Sequence, residues 1–136
     1  MPDSKEPSLE DLLKRHLALR AAVAKDPRYR ADAYAFVCEG VEYTCNKLGE
    51  RRDISGRELV DGLCDLALER FGFLAARVLQ HWGVRATEDL GEIVFTLVEY
   101  GLLGKSARDS KADFAGVLDL QRALRERYRM DDPSED

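Results

Sequence analysis

The stretch TEDLGEIVFTLVEYGLLGKSARDSKADF, residues 87–114, decides the fold. Its first half sets Leu90, Ile93, Val94, Leu97 and Val98 three and four apart, the stripe of a helix with one buried face. Thr87 or Asp89 is placed to cap that helix and Gly101 to end it. The period is lost in KSARDSKAD (105–113), where Ser and Asp side chains compete for local backbone bonds. Two architectures fit this loss of period. If residues 102–105 and 114–118 pair as short strands around the polar loop, the region is winged-helix-like, with a two-stranded hairpin near 102–118. If they do not, the chain is an all-α array. FAGVLDL (114–120) is too short to separate a strand period from a helical one, so the expected class is mainly α with either ending.

Working outward, the upstream helices carry start and stop signals. Ser8 and Asp11 have the spacing of a capping box with Asp in place of Glu, ahead of Leu9, Leu12, Leu13, Leu17 and Leu19. Pro27 interrupts, and Ala33, Phe36, Val37, Gly40, Val41 and Leu48 then recur at helical spacing until Gly49. Ser55 and Glu58 form a second capping box leading Leu59, Leu63, Leu66 and Ala67 to Gly72. Phe73, Leu74, Val78, Leu79 and Trp82 fit a short helix ending at Gly83. Asp119 is placed to cap a last helix bearing Ala123, Leu124 and Tyr128.

At 136 residues the chain is the size of one domain. The expected organisation is a flexible N-terminus (1–7), a compact domain (8–130) and an acidic flexible tail (131–136). A formal charge of −5 disfavours nonspecific attraction to nucleic acid or anionic lipid. The charge is uneven: residues 57–104 carry net −4, residues 105–130 net +3, and the tail DDPSED net −4. No apolar run approaches the length of a membrane span, and Cys38, Cys45 and Cys64 are odd in number, which points to a reducing cytoplasm.

The segments AYAFVCEGVEYT (33–44), ISGRELVDGL (54–63), FGFLAARVLQHWGV (71–84) and DLGEIVFTLVEYGLLGKSARDSKADF (89–114), with Tyr128, resemble a family of small uncharacterised bacterial proteins of planctomycete- and verrucomicrobia-type genomes. The resemblance implies a bacterial cytoplasmic protein of a shared small fold and assigns no catalytic residue. Asp53 stands where that family often has a His, which weakens any metal or acid–base role there, and Gly40 stands where a helix former is more usual.

Enzymatic signatures fail on inspection. EYGLLGKS lacks the first Gly of a phosphate loop, because Glu99 occupies that position and its carboxylate repels phosphate. Cys38, Cys45, Cys64 and His81 have no paired ligand spacing for zinc. Ser55 serves better as an N-cap than as a nucleophile, and His81 as a residue of a helix C-terminus. No catalytic residue, metal or cofactor is expected. The helix from Thr87 presents Glu88, Asp89, Glu92 and Glu99 and no Lys or Arg, so DNA recognition by a winged helix is the weaker alternative.

The expected function is therefore protein association, with a partner or with a second copy. The candidate surface is basic: Lys105, Arg108 and Lys111 fall three apart in the loop, and Arg122, Arg125 and Arg129 share one face of the last helix. A competing arrangement lays those arginines against the acidic ridge of Glu88, Glu92 and Glu99, tying the last helix to the core.

Overall fold

A computed structural model describes residues 8–49, 54–104 and 111–131, with side chains in the last helix as far as Tyr128. Lys105, Arg108, the Arg129 side chain, Asp53 and the two terminal segments 1–7 and 132–136 lie outside the described residues. Six α-helices follow one another: α1 (Leu9–Lys25), α2 (Ala31–Leu48), α3 (Gly56–Phe71), α4 (Ala75–His81), α5 (Thr87–Glu99) and α6 (Leu120–Asp131). Two 3-10 turns, Gly72–Leu74 and Lys111–Phe114, complete the described elements.

The start signals act as expected. Ser8 and Asp11 exchange side-chain and backbone hydrogen bonds across the first turn of α1, and Ser55 and Glu58 do the same for α3. Asp119 accepts from the Arg122 N–H at 3.1 Å and so caps α6. At the start of α5 the capping group is Asp89, whose Oδ2 accepts from the Arg85 and Ala86 N–H groups. The reciprocal half is missing because Ala86 has no side-chain acceptor. Gly49 closes α2 at φ 81°, a left-handed conformation that costs an ordinary residue its Cβ clearance.

Helix α3 packs on α2, α4, α5 and α6, and α5 completes the core beside it. Leu90, Ile93, Val94 and Leu97 are buried, while Val98, at the edge of the stripe, is half-buried. The helix packs on α1, α2, α3 and the Lys111–Phe114 turn. The α2–α3 pair beside it approaches closely because Gly40 lies under the Leu63 side chain and Gly62 under Thr44, where any Cβ would collide. That contact explains a glycine at position 40, where a helix former would otherwise be favoured. Phe36, Phe71 and Trp82 join α2, α3 and the end of α4, with ring centroids 5.5–6.2 Å apart.

The two-stranded hairpin is not formed: among the described residues there is no strand, and the all-α alternative is the observed architecture. The reason is Phe114. Instead of pairing its backbone with residues 102–105, the chain turns at Lys111–Phe114 and inserts this ring, 1% exposed, over Gly91 of α5. The Thr87 hydroxyl donates to the Phe114 carbonyl, which satisfies a backbone acceptor that a ladder would otherwise have used.

Two other expectations shift. Within 73–82 the inward side chains are Ala75, Ala76, Leu79 and the half-buried Trp82, whereas Phe73 and Leu74 point to solvent. In α1 only Ala22 is fully buried, and Leu9, Leu12, Leu13 and Leu17 are exposed.

Candidate interaction surface

The acidic ridge is engaged within the fold. Glu92 pairs with Lys111 at 3.0 Å and lies 3.5 Å from Arg28, Glu99 pairs with Lys25 at 3.8 Å, and Glu88 accepts from the Gly116 N–H at 3.1 Å. Lys111 also sits 4.5 Å from the centroid of the Phe95 ring, so its ammonium is held between a carboxylate and an aromatic face. The ridge thus tethers α1, the α1–α2 loop and the 111–116 segment to α5. Asp26 and Arg28 stiffen that loop with a paired contact at 2.6 Å, and the hydrogen bond from Arg28 holds the Asp26 carboxyl below its usual range. Burial, then the hydrogen bond to Asp89, pushes the Tyr29 hydroxyl upward, while burial raises that of Tyr34 to about 12.

Among the described side chains of α6, Arg122, Arg125 and Arg127 make no ion pair with this ridge. Arg122 pairs with Glu126 one turn on, at 2.9 Å, and among the described residues Arg125 has no ion-pair partner. The cation that ties α6 to the core is Arg127, 2.9 Å from Asp61 and 3.7 Å from Asp65 of α3. Sequence spacing passed over Arg127 because it falls off the stripe of Arg122, Arg125 and Arg129. That same displacement places it on the half-buried face with Leu124 and Tyr128, and was the available signal.

Arg125 instead lines a hollow of about 260 Å³ between α4 and α6, with Gly72, Phe73, Ala76, Leu124 and Tyr128. Its geometry comes from the end of α3. Gly72 takes φ 55°, which breaks the helix and throws the Gly72–Leu74 turn outward, leaving Phe73 72% exposed. The Phe73 ring rests against Tyr128, with centroids 6.3 Å apart. Gln121 anchors α6 here by donating to the Ala76 carbonyl at 3.4 Å. On the side of α4 turned away from Ala76, Leu74, Arg77, Val78 and His81 line a separate, shallower depression. Arg77 also lacks an ion-pair partner among the described residues. A large apolar side chain, an aromatic floor and an arginine therefore share the hollow between α4 and α6, the combination over-represented at the energetic centres of protein interfaces.

The remaining chemistry is structural. The carboxylates Asp61 and Asp65 in the depression between α2 and α3 are occupied by Arg127 and Lys47. Cys45 and Cys64 are buried, and burial pushes the Cys64 thiol up to about 11, so it stays protonated and unreactive at neutral pH. Among the described residues no group of His, Cys, Asp and Glu side chains could hold a metal ion, and no helix is long and apolar enough to cross a membrane. In comparison with known proteins, no family model, no curated protein and no solved structure matches this chain.

Proposed function

We propose that this chain is a non-enzymatic helical domain of the bacterial cytoplasm that works by protein association, and that the α4–α6 face takes an acidic segment of its partner. The observation that carries this is Phe73: its 72% exposure, against the Tyr128 ring and beside Arg125, is an unmet apolar contact set among cations. An incoming segment with an apolar side chain for the hollow and carboxylates for Arg122 and Arg125 satisfies both demands. Cation–carboxylate attraction steers the encounter, and desolvation of Phe73 supplies the grip. A DNA-binding role is less well supported, because α5 carries no Lys or Arg and the cations beside its glutamates, Lys25, Arg28 and Lys111, are taken up in ion pairs with them.

Charge reversal tests the reading. In the variant Arg122→Glu, Arg125→Glu, Arg129→Glu, only the exposed Arg122–Glu126 pair among the described contacts is lost, so the melting temperature stays nearly unchanged. Partner proteins captured from native bacterial cytoplasm by the wild type are expected to be lost in that variant and in Phe73→Ala. A triple variant that melts normally and retains every wild-type partner overturns the proposal.

A further inference from the structure

Five residues, DPSED (132–136), follow α6 directly. They carry three carboxylates, on Asp132, Glu135 and Asp136, and one apolar ring, on Pro133. The same combination of apolar group and acid is what the exposed Phe73 ring, Tyr128 and Arg125 leave unmet in the hollow between α4 and α6. The distances match. Arg125 stands six residues before Asp131, about 9 Å along the helix, whereas five residues of extended chain span up to roughly 17 Å. Doubled back along α6, the segment brings Pro133 beside Tyr128 and carries Glu135 and Asp136 to the level of Arg125.

We propose that residues 132–136 fold back onto the α4–α6 hollow and occupy it until an acidic partner displaces them, a self-inhibiting contact that rests on the partner-docking reading of that face. Pro133 favours the reversal, because it lacks the N–H that a further helical turn needs and its ring disfavours a helical Asp132. Charge selects the side of α6. Arg127, on the opposite side, is already taken by Asp61 and Asp65, whose carboxylates repel an acidic segment. Arg125 has no ion-pair partner among the described residues, and the exposed Arg122 is held only by Glu126 one turn on. Pairing with these arginines also offsets the cost of carboxylates at the negative end of the α6 dipole. Exposed ion pairs are weak, so the contact opens readily. The tether nevertheless presents the segment to the hollow at an effective concentration on the order of millimolar. A partner therefore binds with its affinity reduced by the fraction of time the hollow is closed.

Amide correlation spectra of the full chain test this, with the charge of the segment as the variable. The variant Asp132→Asn, Glu135→Gln, Asp136→Asn keeps the chain length and removes the carboxylates. The amides of Gly72, Phe73 and Ala76, far from the segment in sequence, are expected to shift relative to wild type, and rising salt is expected to move the wild-type signals toward those of the variant. Pro133→Ala, which keeps every charge, is expected to reproduce part of that shift. At about 0.15 M salt a short peptide of Glu, Asp and Leu is expected to bind the neutral variant about threefold more tightly than the wild type. Unmoved Gly72, Phe73 and Ala76 signals overturn the proposal. Equal peptide affinity for the two chains also overturns it and leaves the partner reading standing. Shifts that grow with protein concentration place the segment on a second copy and overturn it equally. The expected shifts with no peptide bound by either chain support the proposal and remove the partner reading alone.

Discussion

Removing the Phe114 ring probes the contact that replaces a wing. The side chain is 1% exposed and lies over Gly91, so Phe114→Ala empties a space the helical scaffold cannot close. The expected cost is about 3–5 kcal/mol from lost transfer free energy and the residual cavity. For a chain of this size that lowers the melting temperature by on the order of 10–20 °C. Gly91→Ala sharpens the test. A Cβ there would sit 2.9 Å from Phe114 Cβ, 3.0 Å from Cγ and 3.1 Å from Cδ2, an overlap that costs about 1–3 kcal/mol and offsets the roughly 1 kcal/mol gained by replacing a mid-helix Gly. Deleting the ring removes Cγ and Cδ2 but leaves the closest atom, Cβ, so Gly91→Ala still meets an overlap in the Phe114→Ala background and costs less there than in the wild type. Urea unfolding of the wild type, both single variants and the double variant measures the coupling, expected to exceed about 1 kcal/mol. Additivity within about 0.5 kcal/mol, or a cost of Phe114→Ala below about 1 kcal/mol, refutes the placement of Phe114 in the core.

Val94→Ala in α5 is expected to cost about 1–3 kcal/mol by the same denaturation assay, since the side chain is 1% exposed. The Asp26 and Glu39 carboxyls are held low, first by their hydrogen bonds to Arg28 and Arg70. Their contribution to stability is therefore complete above the unfolded values near pH 4 and is lost as pH falls through the depressed folded values. Urea midpoints should drop on acidification from about pH 5, and by less in Asp26→Asn. No sequence-specific DNA binding tighter than roughly micromolar is expected at about 0.15 M salt, given the net charge of −5, and an anisotropy screen that found a nanomolar site would contradict this.

What the sequence disclosed depended on how local the determining contact is. The α5 stripe, the capping boxes at Ser8 and Ser55, the stop at Gly49 and the cap at Asp119 are set within one or two helical turns, and their spacing displayed them. The fate of Phe114 depends on Gly91, twenty-three positions away, and nothing within FAGVLDL distinguishes a plug from a strand. The leucines of α1 show the other limit. Periodicity tells which side chains share a face but not whether anything stands opposite, so the same pattern serves a core and an exposed ridge. At the α4–α6 face the basic stripe was visible in Arg122, Arg125 and Arg129, but Phe73 was not, because its exposure comes from the backbone reversal at Gly72. Lys111 shared the loop's basic spacing and is held instead by Glu92 and Phe95, a pairing that only the folded chain brings together.

The central claim is that an acidic segment docks between α4 and α6, and an amide correlation titration by NMR tests it most directly. The probe is a short peptide of Glu, Asp and Leu added to the nitrogen-labelled full chain at low salt and again at about 0.15 M salt. Shifts are expected to concentrate on Gly72, Phe73, Ala76, Leu124, Arg125 and Tyr128, weakening but keeping the same pattern as salt rises. Shifts spread evenly over exposed Lys and Arg, or centred on α1 with the Phe73–Tyr128 hollow unmoved, would contradict it.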